Sequence, residues 1–222
     1  MYISSLVLNT DNIAAIRSQI LPYGETRLDA THKLMWNLTG DHPGRERDFL
    51  WCETAPDTFR MLSRREPVDK CNFFTTVTRP FEPKFFDGDN LYFTLRVNAT
   101  ATVRRKVDGP CREEIGTSEL RQLMSNGKPT SAEKQEVRVK TALSWLDNKG
   151  KISGFTLDEA AFAVDKHEFI TVKRQTGKIQ FGALELSGIL TVTDPDTFLV
   201  SLTKGFGRAK AFGCGLMSVR LA

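Results

Sequence analysis

The run Leu91–Asn98 constrains this chain more than any other stretch. Leu91, Phe93, Leu95 and Val97 alternate with Tyr92, Thr94, Arg96 and Asn98. Alternation of period two puts one set on the buried face of a strand and the other on its open face. The later elements are ordered around that strand. Ser131 can cap a helix running to Asn148, with Val139, Ala142, Leu143 and Leu146 on one side and Gly150 as its stop. Strands are expected over 152–157, 168–174, 178–186 and 188–193. Asp194 and Pro195 open a helix over 195–204, and Leu216–Leu221 reads as a closing strand. The stretch Arg104–Thr130, rich in charge, Gly and Pro, is expected to be a long loop or a partly disordered insertion.

The second half therefore reads β-α-β-β-α-β, the order of a ferredoxin-like unit. The first half gives a looser version. Residues 1–9 read as a strand, a helical turn or two falls within Asp11–Ile20, and Leu21-Pro22-Tyr23-Gly24 breaks it. A helix from Thr26 to Leu38 carries the stripe Leu28, Met35 and Leu38 and stops at Gly40. Asp48–Thr54 and Thr58–Arg64 read as strands, and Phe73–Val77 and Phe81–Phe86 are apolar stretches interrupted by Pro80 and Pro83. The fold class expected is α+β, two tandem ferredoxin-like units. With the turn Asp87-Gly88-Asp89 as boundary, they span 1–87 and 88–222.

A chain of 222 residues with 40% hydrophobic and 26% charged residues has the composition of an ordinary globular protein. Its charge is unevenly placed. Lys204, Arg208, Lys210 and Arg220 are the cations of 197–222, and Arg96, Arg104, Arg105 and Lys106 those of 90–107; neither segment holds an acid. Each carries +4 in a chain of net +4, so the rest sums to −4. Two concentrated basic segments in a near-neutral body suit a polyanion; two solvated basic faces are the alternative. The four cysteines, 52, 71, 111 and 214, form no C-x-x-C pair, and with three histidines a zinc site lacks its usual spacing. Acids are scattered without the spacing of a two-metal nuclease. Met1-Tyr2-Ile3-Ser4-Ser5 lacks a basic start and an apolar core, and about 20 consecutive apolar residues are nowhere found. The expectation is a cytoplasmic protein with its cysteines as thiols.

The chemistry concentrates in two places. Lys204–Leu216 holds four glycines in two Gly-x-Gly pairs, three cations and no acid. Glycines allow positive φ and close approach, and consecutive open N–H groups make an anion-binding concavity; a flexible turn between helix and strand is the other reading. No third glycine completes a dinucleotide fingerprint, and no Gly-Lys-Ser/Thr makes a P-loop. The second place is His32, at the edge of its helix's apolar stripe, with Leu28 and Trp36 four residues to either side, Asp29 three back and Lys33 adjacent. An imidazole beside a cation suits RNA cleavage, which needs a base, an acid and positive charge on the phosphorane. A histidine half-buried against Trp36 for packing alone fits the same residues. His42 and His167 read as turn and strand-start residues. The candidate RNA contacts are Arg96, Arg104, Arg105, Lys204, Arg208 and Lys210. With few aromatic groups to stack bases, this basic surface suits a duplex stem better than a single strand.

Lys204–Leu216, read on to Ser218 and Val219, resembles the C-terminal glycine-rich signature of the CasE family, the CRISPR repeat-processing endoribonucleases that are also subunits of the Cascade complex. Phe93-Thr94-Leu95-Arg96-Val97-Asn98 is similar to that family's strand with central Arg and Asn. Trp145-Leu146, Phe181–Pro195, Met1–Ser4 and Arg47–Leu50 agree as well. The resemblance implies two ferredoxin-like units and metal-independent cleavage of a repeat stem-loop, leaving a 2′,3′-cyclic phosphate. It implies no cofactor, and retention of the guide RNA with other Cascade subunits as partners. It also implies that His32 is catalytic, because the family carries its catalytic histidine on the first N-terminal helix. Some relatives have a tyrosine three residues earlier, where Asp29 stands here, which makes Lys33 the expected helper. A non-catalytic hairpin-binding subunit of the same architecture is the alternative.

Overall fold

Two antiparallel sheets of the same strand order build the protein. The computed structural model describes residues 1–12, 27–39, 47–105, 109–174 and 177–222. The first sheet holds β1 (Tyr2–Leu8), β2 (Phe49–Ala55), β3 (Thr58–Ser63) and β4 (Phe74–Pro80) in the order β2-β3-β1-β4. Helix α1 (Arg27–Thr39) follows β1 in the chain and covers one face. The cause is alternation: Phe59 and Met61 of β3 turn to Leu34, Met35 and Leu38 of α1, while Arg60 and Leu62 turn away. Among the described residues no helix lies between β3 and β4, which is why this half reads as a loose copy of the pattern.

The second sheet begins with β5 (Asn90–Val97), whose Leu91, Phe93, Leu95 and Val97 are all buried, as the alternation requires. After the inserted β6 (Thr100–Arg105), β7 (Gly109–Glu114) and α2 (Thr117–Ser125) come α3 (Ser131–Lys151), β8 (Phe155–Leu157), β9 (Ala163–Arg174), β10 (Gly177–Val192), α4 (Pro195–Lys204) and β11 (Met217–Leu221). The order is β11-β5-β10-β8, with β9 paired to β10. Numbered within each unit, both sheets run 4-1-3-2, the ferredoxin-like arrangement, so the fold is two such units in tandem. Leu146 of α3 with Phe198 and Leu202 of α4 close the second core against β5 and β10. The face of the first sheet turned away from α1 presents Leu50, Cys52 and Leu62 to Leu216, so the C-terminal segment packs onto the first unit.

Four local expectations are corrected. Arg104–Thr130 is not a long loop. It closes a hairpin pairing Thr100 with Glu114 through Arg105 with Gly109, then forms α2. The hairpin is tied down from outside: His167 Nε2 meets Glu114 Oε1 at 2.8 Å and Arg121 bonds Glu113. Helix α3 is capped by Thr130, not Ser131, in a capping box. The Thr130 hydroxyl accepts the Glu133 N–H at 3.2 Å, and Glu133 Oε2 accepts the Thr130 N–H at 2.7 Å. It also runs past Gly150, where a Cβ would lie 2.5 Å from the Phe155 carbonyl oxygen, so that glycine allows packing rather than stopping the helix. Likewise the two strands expected over 178–186 and 188–193 are one, Gly177–Val192, within which Gly188 leaves room for Phe93 and Phe162. The expected helical turns after Asn12, the break at Leu21–Gly24, the stop at Gly40, His42 and Lys106 lie outside the described residues.

Candidate RNA-processing site

The glycine-rich segment leaves α4 at Gly205 and is stitched to the end of β5. Arg208 N donates to Asn98 O at 3.0 Å and Gly215 N to Arg96 O at 2.7 Å, while the Asn98 side chain donates to Gly182 O at 2.8 Å. Gly207, at φ 66, would put a Cβ 2.7 Å from Asn98 O, and Gly213, at φ 74, would put one 3.1 Å from the Trp51 ring. The glycines therefore let this segment pass tightly between the two units. The open amide concavity expected from the sequence does not form at Gly205, Phe206, Arg208, Phe212 and Gly215, because each of these N–H groups donates to a backbone carbonyl. The charge that faces outward belongs to side chains.

Those side chains gather in a groove of about 550 Å³ between the glycine-rich segment, the β6–β7 hairpin and the C-terminal ends of α3 and α4. Lys204 and Arg208 line it, joined by Arg112 and Lys149, with Trp145 beside them and no acid in the lining. Arg112 and Lys149 are not legible as site residues in the sequence, where the first falls in an apparent loop and the second in the last turn of a helix. Arg104 and Arg105 end β6, and their side chains lie outside the described residues. Arg96 differs from the others: it donates to Glu185 at 2.6 Å and Glu168 at 2.9 Å, so its charge is matched within the sheet. A second set of cations, Arg60, Arg79 and Arg220, lines a cleft of about 400 Å³ between the units, with Arg220 over the Tyr92 ring at 4.5 Å.

His32 meets the same segment from the other side. Its ring lies 6.2 Å from that of Phe212, in the 3-10 turn Lys210–Phe212, and Phe212 in turn stacks on Phe181 of β10 at 5.5 Å. Trp36, one turn along α1, donates its indole N–H to His32 Nε2 at 3.0 Å. His32 and Lys33 are half-buried neighbours on α1, and Asp29 is buried one turn back. Lys210, two residues before Phe212, donates to the Lys204 carbonyl at 2.6 Å. Burial first, and the charge of Arg47 second, hold the Lys210 ammonium below the usual lysine range. The glycine-rich segment thus carries both features: its Phe212 touches His32 of α1, and its Lys204 and Arg208 line the cationic groove. Among the described residues no cluster of three or more His, Cys, Asp or Glu is placed to hold a metal ion, and no helix is long and apolar enough to cross a membrane.

A tandem ferredoxin-like protein with a histidine-bearing helix packed on a basic glycine-rich segment is the class that fold and site define. The chain belongs to the CRISPR associated protein family, whose model matches residues 1–220. It is 26% identical to the CRISPR system Cascade subunit CasE of Escherichia coli, covering 85% of this chain and 89% of that one. It is also 26% identical to the CRISPR-associated endoribonuclease Cse3 of Thermus thermophilus, covering 99% of each. The structure of Thermus thermophilus Cse3 bound to an RNA representing a pre-cleavage complex superposes with a TM-score of 0.69 at 26% identity, covering 99% of this chain and 98% of that one.

Proposed function

We propose that this protein is an endoribonuclease that binds the hairpin of CRISPR repeat RNA and cleaves it to guide RNA. It keeps the product as a subunit of a Cascade complex in the cytoplasm. The observation that carries this reading is the contact of His32 with Phe212, which sets an imidazole against the basic glycine-rich segment. In the division of labour proposed, residues 1–87 bring the catalytic helix and 88–222 hold the stem. The groove lined by Lys204, Arg208, Arg112 and Lys149 takes the phosphates of an A-form stem, which proteins read by shape and backbone. His32 moves a proton at the scissile phosphate, and Lys33 and Lys210 offset the charge that develops there. Attack by the 2′-hydroxyl makes the 2′,3′-cyclic phosphate and needs no metal.

The test is a denaturing gel of labelled repeat RNA with and without EDTA. The wild type is expected to give one cyclic-phosphate product in both buffers. His32→Ala is expected to give none while binding the hairpin within a few fold. Binding by the wild type with no product in either buffer would identify a non-catalytic RNA-binding subunit instead.

A further inference from the structure

The hydrogen bond between Trp36 and His32 has a direction. An indole N–H only donates, so Nε2 of His32, 3.0 Å away, supplies the lone pair. The proton of the neutral ring is then on Nδ1. An imidazolium has N–H groups on both nitrogens and accepts from neither, so protonating His32 breaks this bond and sets two N–H groups against each other. Trp36 is itself held, edge-on to Phe49 with ring centres 5.3 Å apart, and its ring meets that of His32 at 69°.

We propose that Trp36 is a positioning residue that keeps His32 with Nε2 as an acceptor, so that His32 enters the reaction as its general base. This deepens the catalytic reading above and rests on it. The 2′-hydroxyl of the bound strand takes the place of the indole N–H at Nε2. Its proton passes to Nε2, the 2′-oxygen–phosphorus bond forms, the phosphorus–5′-oxygen bond breaks, and the departing oxygen takes a proton from water. Trp36 touches no reacting atom in this step; it sets the form in which His32 waits. The charged groups nearest in the chain on the elements that touch the ring are Asp29 and Lys33 on α1 and Lys210 in the turn that carries Phe212, and Arg47 lies close enough to Lys210 to lower its pKa. Trp36→Phe leaves all four in place, keeps an aromatic ring against Phe49 and removes the donor.

The test is the cleavage rate of a repeat hairpin at subsaturating enzyme, the kcat/KM condition that reports the groups of the free protein, from pH 5 to 9 in EDTA, for the wild type, Trp36→Phe and His32→Ala. For the wild type the rate is expected to rise with pH to a plateau. In Trp36→Phe the rising limb is expected to move up by about 0.5 to 1 pH unit, the worth of one such hydrogen bond, with the plateau within a few fold. A limb at the wild-type position, or a shift of a falling limb instead, overturns the inference. Titration of the His32 ring by nitrogen NMR is the second readout and needs no cleavage. It is expected to show the Nδ1–H form in the wild type and a raised pKa in Trp36→Phe. An Nε2–H form, or an unchanged pKa, overturns the inference even if the enzyme is inactive. Full cleavage by His32→Ala with the expected titration would defeat the catalytic reading alone.

Discussion

Phe212 joins His32 to the second unit: its ring sits 6.2 Å from the imidazole and stacks on Phe181. A loss here acts on geometry before chemistry. Phe212→Leu keeps apolar volume in a buried site but removes both ring contacts. The expected outcome is a single-turnover cleavage rate lower by on the order of tenfold, since small misplacements of a reacting group cost rate steeply. If the groove holds the stem, hairpin affinity should change less than about threefold in a filter-binding assay.

Gly207 tests how the segment is threaded. Its φ of 66 is costly for any other residue, and a Cβ would press on Asn98 O and Val97. Gly207→Ala is expected to destabilise the fold by about 1–3 kcal/mol, read as a lower midpoint in urea at unchanged slope. Gly109→Ala is the comparison. It also has positive φ, at 71, but open space around its Cβ, so its loss should be smaller.

Much of this fold is legible in the residues, for identifiable reasons. The alternation in Leu91–Asn98 marks a strand because one face must be buried, and α4 is announced by its Asp194 cap and Pro195. The hairpin and α2 within 104–130 are not legible, because α2 buries none of its own residues and the hairpin leans on partners far along the chain such as His167. Gly150 misleads for a different cause: a glycine in a sequence does not say whether it frees the backbone or makes room for a neighbour. In the site, the four-residue spacing of His32 and Trp36 is visible in the sequence, but the donor's direction is not. The contact with Phe212 is a tertiary event that no local pattern encodes.

The buried thiols predict alkaline sensitivity. Burial pushes Cys52 and Cys214 up to about 11 from an ordinary value of 9.0. An acid whose native pKa is raised leaves stability intact below the unfolded pKa, and stability falls as pH climbs through the native one. The expected loss therefore runs from about pH 9 to 11 and is of the order of 2 kcal/mol for each thiol. Thermal melts across that window should show the fall, and Cys214→Ala should flatten it relative to its own value at pH 8. A melting temperature of the wild type that holds level from pH 8.5 to 10.5 would show that these thiols are not shielded as described.

The basic groove makes the last prediction quantitative. Each phosphate neutralised by a cation releases a counterion, so the slope of log affinity against log salt counts contacts, at somewhat under one per phosphate. Lys204 and Arg208 come from the end of α4 and the segment after it, Arg112 and Lys149 from the hairpin and α3, yet all four face one groove with no acid in its lining. If the stem lies there, the two pairs are equivalent in kind. Lys204→Ala with Arg208→Ala, and separately Arg112→Ala with Lys149→Ala, should each flatten the slope by about one to two and weaken binding at low salt. Arg96→Ala should leave the slope nearly unchanged, because Glu168 and Glu185 already match that charge. Hairpin binding measured from about 50 to 300 mM salt decides the matter. A slope moved by the first pair but not the second would confine the RNA to the glycine-rich segment and exclude the hairpin side of the groove.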